Sequence, residues 1–153
     1  MIRKPHQDPS KNLVGFVVGD VRYAVPIGEV REIVNPLPVV ELPGASGAVI
    51  GVADYREDVV PVVDLRRRFG LETTAQTRRT KWIVMGVGER VVALVVDAVT
   101  DVFRSYDALR PAPAIGVGTD RRAIAGVTTR QGDLVFVLDT TRFEDVAELE
   151  AQP

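Results

Sequence analysis

Valine is the residue that most limits how this chain can fold, since it occupies 28 of the 153 positions. Its branched Cβ restricts the side chain in a helix and packs well on a pleated sheet, so this surplus argues against an all-helical bundle. Many of the valines fall in short apolar runs separated by turn residues. The sequence therefore predicts a mainly β protein, and short strands without long intervening helices favour small closed barrels.

Four pairs of apolar runs flank short turns, and we predict a β-hairpin at each. The turns are Gly19-Asp20, Arg56-Glu57, Gly86-Val87-Gly88 and Gln131-Gly132. Pro61 lies inside one of the runs and predicts an edge strand or a bulge there. Residues 27–34 are compatible with either a short helix or a twisted strand, and the proline-rich residues 35–44 predict a loop.

Two segments of the chain resemble each other, at residues 56–69 and 130–143. Each has a polar turn, an apolar strand, an aspartate (Asp64 or Asp139) and an Arg-Phe pair. This repeat predicts two related β lobes in which the aspartate caps a helix. We divide the chain into a flexible tail (1–12), a two-lobed domain (13–146) and a C-terminal end (147–153), with a helix predicted over residues 141–151.

The composition removes the common catalytic arrangements. The chain has no cysteine, and its single histidine, His6, lies beside a proline in the polar tail. A Ser-His-Asp triad, a Cys-His dyad and a zinc site are therefore unavailable. The Gly-x-Gly pairs do not continue as phosphate-binding loops. We predict a protein that is not an enzyme, with no catalytic residue, cofactor or metal.

Charge and hydropathy give little reason to expect nucleic acid or membrane partners. The net charge is −2, and the longest clean apolar run, residues 91–96, is far too short to span a membrane. The N-terminus has no apolar signal region, so we expect a cytoplasmic protein without membrane insertion. Arginine clusters at 66–68, 78–79 and 121–122 leave a nucleic-acid-binding barrel as the alternative, although aromatic stacking residues are scarce around them.

Apolar surface is the remaining source of function. A chain of this size cannot bury every valine-rich strand, so some should form exposed grooves or edges that bind partners. The residues alone therefore favour a protein-interaction module, and a module that binds a small ligand between its lobes is a further alternative.

Five ordered motifs carry a resemblance to a known family over residues 13 to about 146. They are FVVGDVRYAVPIGEVREIV (16–34), GVADYREDVVPVVDLRRRF (51–69), RVVALVVDAVTDVF (90–103), LRPAP (109–113) and DLVFVLDTTRF (133–143). Together they resemble the CheW family of chemosensory adaptors.

The resemblance implies two intertwined five-stranded SH3-like β-barrels, with short helices and a groove between the barrels. It implies an adaptor without catalytic activity that couples chemoreceptors to a CheA-type histidine kinase in bacterial chemotaxis. One barrel would dock the regulatory domain of the kinase. The groove would take the cytoplasmic tip of a methyl-accepting chemoreceptor, at receptor arrays in the cytoplasm.

Carried over by position, the resemblance implies a set of partner-binding residues. They are Val30, Glu32, Gly51, Arg56, Ala93, Val99 and Val102. Physically, Arg56 at a hairpin tip can pair with a carboxylate, or it can be a solvated turn residue. Val99 and Val102 can line one face for a partner, or they can be core. Gly51 can admit a closely approaching backbone or serve a bulge.

The sequence departs from the family pattern at one predicted turn. Where the family usually has Asn-Leu-Arg-Gly, this chain has Asp54, Tyr55, Arg56 and Glu57. Losing the glycine removes easy access to positive φ, and Glu57 places a negative charge beside Arg56.

Overall fold

The computed structural model describes residues 12–43, 47–113 and 123–143. Over these ranges the chain forms ten strands and three short helical turns. The strands are β1 (Asn12–Val18), β2 (Val21–Pro26), β3 (Val30–Val34), β4 (Val49–Tyr55), β5 (Asp58–Asp64), β6 (Lys81–Val87), β7 (Arg90–Val96), β8 (Ala98–Arg104), β9 (Ile124–Arg130) and β10 (Asp133–Leu138). The turns are a first 3-10 turn (Ile27–Glu29), the α-helical turn α1 (Leu65–Arg68) and a second 3-10 turn (Thr140–Phe143).

The strands form two five-stranded sheets, which confirms the mainly β prediction. Sheet A has the order β8-β1-β2-β10-β9, and sheet B has the order β3-β6-β7-β5-β4. All four predicted hairpins are present, as the pairs β1–β2, β4–β5, β6–β7 and β9–β10. The pairs β2–β10 and β5–β7 are parallel, so each sheet is mixed.

The two halves of the chain exchange strands. Sheet A combines β1 and β2 with β8, β9 and β10, whereas sheet B combines β6 and β7 with β3, β4 and β5. If β1 is matched to β6, β2 to β7 and so on to β5 with β10, the two sheets have the same order. The chain therefore contains two equivalent halves, each of which contributes strands to both sheets.

Consecutive residues are buried in the interior strands β1, β5, β6 and β7, so both faces of these strands are covered, as their valine-rich sequences require. A central cluster joins the sheets and includes Phe16 and Tyr23 from sheet A and Ile83 and Met85 from sheet B. The outer faces form two smaller clusters, around Trp82 and Val84 in sheet B and around Leu13 and Phe103 in sheet A. Successive residues of β6 thus enter different clusters, as strand geometry requires.

Both predicted aspartate caps are formed. Asp64 Oδ1 accepts a hydrogen bond from Arg66 N at 3.0 Å, and Asp139 Oδ1 accepts one from Thr141 N at 3.1 Å. Of the predicted C-terminal helix, the described part is the second 3-10 turn, and residues 144–151 lie outside the described ranges, as does most of the predicted tail.

Two local expectations need refinement. Residues 27–34 form the first 3-10 turn followed by β3, so the helical and extended interpretations each apply to part of the segment. Pro61 lies in β5, an interior strand, so the edge-strand prediction is wrong. The missing N–H is tolerated because the pairing of β5 with β7 begins only at Val62.

Candidate functional site

A polar contact joins the two outer strands of sheet B. Although β3 and β4 lie at opposite ends of the strand order, Glu32 of β3 reaches the end of β4. Arg56 Nε donates to Glu32 Oε1 at 2.8 Å and Arg56 Nη2 donates to Oε2 at 3.0 Å. Tyr55 Oη donates to the same Oε1 at 2.7 Å. We call Glu32, Tyr55 and Arg56 the Glu32 clasp, and its formation shows that sheet B curls until its edges approach.

Backbone geometry makes the tip of the β4–β5 hairpin unusual. Arg56 and Glu57 have φ angles of 46° and 73°, the left-handed region that glycine normally occupies in such two-residue turns. The bidentate pairing of Arg56 and the contact of its guanidinium with the Tyr55 ring, 5.7 Å from the ring centroid, hold this turn against the cost of that backbone.

The electrostatics of the clasp follow from its hydrogen bonds. Those from Arg56 and then Tyr55 lower the pKa of the Glu32 carboxyl below its ordinary value. Partial burial and the hydrogen bond to Glu32 raise the pKa of Tyr55. The clasp thus combines the Glu32 carboxylate, the neutral phenol of Tyr55 and the guanidinium of Arg56, whose side chain is 70% exposed.

Gly51 admits a neighbouring segment of its own chain. A Cβ built on it would lie 2.3 Å from Val40 O and 2.8 Å from Val39 Cγ1, and its φ is 153°. Val40 and Val52 exchange two main-chain hydrogen bonds at 2.8 and 3.0 Å. Both interpretations of Gly51 therefore apply, since the backbone of residues 39–40 approaches it closely and it directly follows a bulge in β4, between Val49 and Gly51.

The predicted apolar pair on β8 shares one face because of a bulge. Val102 lies opposite Val14 and Val99 lies opposite Phe16, so two residues of β8 face one residue of β1 between these pairs. In a regular strand a spacing of three would place the side chains on opposite faces, and the extra residue restores them to the same face. Val99 packs partly against the central cluster, whereas Val102 is 56% exposed.

Val30 and Ala93 occupy different environments. Val30 is half-buried against the central cluster at the start of β3. Ala93 is fully buried in the sheet B cluster with Trp82 and Val62. Because β7 is an interior strand with both faces covered, the Ala93 side chain has no surface to offer a partner in this conformation, and we assign it to the core.

Sheet A contains an equivalent clasp that the sequence analysis missed. Arg130, at the end of β9, donates from Nε to Asp101 Oδ2 at 3.0 Å, and its guanidinium lies 5.1 Å from the centroid of the Phe103 ring. Asp101 occupies the position in β8 that Glu32 occupies in β3. We call Asp101 and Arg130 the Asp101 clasp. The signal that would have found it is the repeat of residues 13–34 at 82–103, which is visible in the sequence.

Comparison with known proteins fits this architecture. The family model described as a CheW-like domain matches residues 12–147. The chain belongs to the CheW family. The chemotaxis protein CheW of Rhizobium meliloti (strain 1021) is 34% identical over 142 residues, which cover 92% of each chain. A probable chemotaxis protein CheW of Rhizobium etli is 30% identical, again with 92% of each chain covered.

The fold is also that of a CheW structure. The crystal structure of the scaffolding protein TtCheW from Thermoanaerobacter tengcongensis superposes with a TM-score of 0.77 at 22% identity, covering 85% of this chain and 89% of that one. As a member of the CheW family, the protein is a chemotaxis coupling adaptor, as the motifs predicted.

The nucleic-acid alternative finds no support in these relationships. In α1, Arg66 binds Asp97 in a bidentate contact at 2.7–3.2 Å, and Asp97 also accepts a hydrogen bond from Gly19 N. The Arg68 guanidinium lies 4.7 Å from the Phe143 ring centroid. Arg66 and Arg68 therefore make structural contacts within the protein, while Arg121 and Arg122 lie outside the described ranges.

The described ranges contain no group of three or more histidine, cysteine, aspartate or glutamate residues arranged to hold a metal ion. In the same ranges no helix is long and apolar enough to cross a membrane. The candidate site offers a partner charged groups, hydrogen-bonding groups and an apolar strand edge.

Proposed function

We propose that this protein couples a CheA-type histidine kinase to methyl-accepting chemoreceptors by binding the kinase regulatory domain and the receptor tip at the same time. The observation that carries the proposal is the Glu32 clasp, which fixes an exposed guanidinium at a hairpin tip in a family of coupling adaptors. Two separate surfaces support simultaneous binding, one at the clasp in sheet B and one on β8 of sheet A.

The clasp surface presents Arg56 to the receptor. Glu32 occupies one edge of the guanidinium, and Nη1 is free of any hydrogen bond described within the structured ranges. A carboxylate or carbonyl of a partner helix can accept a hydrogen bond there. Val30 lies two residues before Glu32 on the same strand, and Gly51 fixes the neighbouring loop, so both act in the proposal by shaping this surface.

The β8 surface is apolar and lies at the edge of sheet A. Val102 is exposed, Val99 lies on the same face, and β8 pairs with β1 on one side. Apolar residues on one face of an edge strand can pack against the apolar side of a helix. These features support Val99 and Val102 as the second set of partner contacts.

The clasps also support the barrel form of the two sheets. Each clasp joins the first and last strands of its sheet through side chains, β3 to β4 in sheet B and β8 to β9 in sheet A. Such curling is what a small SH3-like barrel requires. We extend the proposal to two intertwined barrels that act without catalysis or cofactor, in the cytoplasm at receptor arrays.

Titration with the cognate kinase regulatory domain tests the adaptor role. We expect a complex that is visible at tens of micromolar, since even weak array contacts give binding free energies of several kcal/mol there. The absence of binding at these concentrations would count against the proposal.

Charge reversal at the hairpin tip tests the receptor surface. We expect Arg56→Glu to weaken binding of a receptor cytoplasmic tip by about tenfold or more, because it removes the donor and adds a second carboxylate beside Glu32. Arg79→Glu, on an exposed turn outside both surfaces, is the matched control and should bind normally. A large fall in melting temperature for Arg56→Glu would instead make Arg56 a structural residue.

A charge on β8 tests the second surface. Val102→Lys should weaken one of the two complexes by about tenfold, since it places an ammonium group in an apolar contact. Leu134→Lys is the control because Leu134 of β10 is similarly exposed, at 54%. Equal effects of the two variants would remove Val102 from the site.

A further inference from the structure

A cavity of about 360 Å³ lies at one end of sheet A, outside both proposed partner surfaces. Its buried side is formed by Leu13, Val137 and Leu138, and its exposed side includes Ala108 and Ala125. The lining is mostly apolar. A volume of this size lies within the range of cavities that bind small molecules.

Sheet B has a much smaller cavity, of about 180 Å³, at the equivalent place. Trp82 stands there in β6 where Leu13 stands in β1, and Ile50 stands at the β4 bulge where Ala125 stands at the β9 bulge. These larger side chains occupy part of the space beside sheet B. At these two positions sheet A has the smaller side chain, which leaves room for the larger cavity.

The larger cavity is not arranged to take a polypeptide strand. Beside it, Arg110 and Val127 exchange two main-chain hydrogen bonds at 2.9 and 2.8 Å, which occupies the free side of β9 at this point. An incoming strand would lack that edge for pairing. A compact ligand, in contrast, needs only the apolar walls.

The polar groups around the cavity select the charge of such a ligand. The carboxylates of Glu29, Asp107 and Asp139 line it, and no lysine, arginine or histidine is among the described lining residues. Thr140 Oγ1 donates to Glu29 Oε2 at 2.6 Å, and Thr141 donates to Asp139 Oδ1 from both N and Oγ1. These contacts use one oxygen of Glu29 and one of Asp139, so the second oxygen of each can accept a hydrogen bond from a cation.

We infer that the sheet A cavity binds a small ligand with an apolar body and a protonated amine. The apolar body replaces the side-chain volume that Trp82 and Ile50 provide in sheet B. The amine donates to the carboxylates at the cavity. Because Glu29 directly precedes Val30, an occupied cavity would contact the segment that begins β3.

Titration with three probes of matched shape tests this inference. The full chain is titrated with 2-phenylethylamine, 2-phenylethanol and 3-phenylpropanoate, and binding is followed by amide chemical shifts. We expect the amine to bind at least about tenfold more tightly than the alcohol, as a charge-assisted hydrogen bond allows, and the acid to bind least. Shifts should centre on Leu13, Ala125 and Leu138. Failure of the amine to bind at millimolar concentration, or equal binding of amine and acid, overturns the inference.

Variants taken from the repeat itself localise the site. Ala125→Ile installs the sheet B residue and should reduce amine binding by about tenfold or more, and Ala108→Val serves if that variant fails to fold. Ile50→Ala opens the other cavity and should leave binding at the sheet A cavity unchanged. Asp107→Asn should reduce the preference for amine over alcohol. Amine binding that survives both filling variants contradicts the assignment, whatever the outcome of the kinase and receptor experiments.

Discussion

Sheets A and B have the same strand order but differ in the side-chain contacts between their outer strands and in how the space at one end of each sheet is filled. The shared features are structural. Gly51 and Gly126 both admit a crossing segment, and Asp64 and Asp139 both cap a helical turn. Features that recur in both halves of an exchanged repeat are those that the fold itself requires.

The features that differ are the candidates for function. The outer strands of sheet B are joined by the three-residue Glu32 clasp, at a hairpin tip whose two central residues have positive φ although neither is glycine. The outer strands of sheet A are joined by the two-residue Asp101 clasp, and the corresponding turn, Gln131-Gly132, has a glycine. Sheet A in turn has the larger cavity. The comparison thus distinguishes the Glu32 clasp, a proposed partner surface, from the cavity in sheet A, a proposed ligand site.

The largest effect on stability is expected from substitution of the two glycines, one in each sheet, that admit a crossing segment. Gly51→Ala should lower the free energy of unfolding by about 2–4 kcal/mol, because the new Cβ meets the Val40 carbonyl at a positive φ. Gly126→Ala should cost less, about 1–2 kcal/mol, because its new Cβ would lie 2.7 Å from Leu109 Cβ and 3.0 Å from Arg110 O, farther than the 2.3 Å at Gly51, and no positive φ adds to the cost. Urea unfolding measures both.

Gly47→Ala serves as a control that separates the backbone cost of a positive φ from the steric cost of a new Cβ. Gly47 has a φ of 64° with nothing within 4 Å of a built Cβ, so its substitution measures the backbone cost alone, about 1 kcal/mol. If Gly51→Ala costs no more than Gly47→Ala, the crossing segment is not held as described.

An exchange between the two hairpin turns gives an intermediate effect. Glu57→Gly should stabilise the protein by about 0.5–1 kcal/mol, because glycine adopts positive φ without strain. Gly132→Ala should destabilise it by about 1 kcal/mol for the converse reason. Thermal unfolding of both variants checks the pair, and a loss of stability for Glu57→Gly would show that Glu57 makes a contact that outweighs the strain.

The smallest expected effect is the pH dependence that the Glu32 clasp gives to the free energy of unfolding. The clasp lowers the pKa of Glu32 below its ordinary value of 4.5, so the stabilisation is present above that pH and is lost as the pH falls through the folded-state pKa. Unfolding free energies measured from pH 7 to pH 3 should therefore fall more steeply for the wild type than for Glu32→Gln. Tyr55→Phe, which removes one hydrogen bond, should lie between them. Identical slopes for all three proteins would mean that the clasp is open in solution.

Local chemistry made much of the fold predictable from the sequence. The four hairpins follow from turn residues between apolar runs, and the caps follow from an aspartate at the end of a strand. The exchange of strands between halves could not be predicted this way, because the pairing of β8 with β1 depends on contacts far apart in the chain. The edge-strand prediction for Pro61 failed for the same reason, since its tolerance depends on where the pairing of β5 with β7 begins.

The candidate site was predictable in part. The motifs pointed to Glu32 and Arg56. Nothing local indicates that Tyr55 donates to Glu32, which lies on the strand at the opposite end of the sheet order. Val99 and Val102 share a face only because of a bulge that the sequence does not reveal. Ala93 looked equivalent to the other positions until the structure placed both faces of β7 in the core.

Simultaneous binding is the central claim, and a three-component titration tests it most directly. The protein is first saturated with the kinase regulatory domain, and the receptor cytoplasmic tip is then titrated by calorimetry. With separate clasp and β8 surfaces, we predict that the receptor tip binds the saturated protein with an affinity within about threefold of that for the free protein. Displacement of the kinase domain by the receptor tip, or no binding of the tip to the saturated protein, would contradict the account.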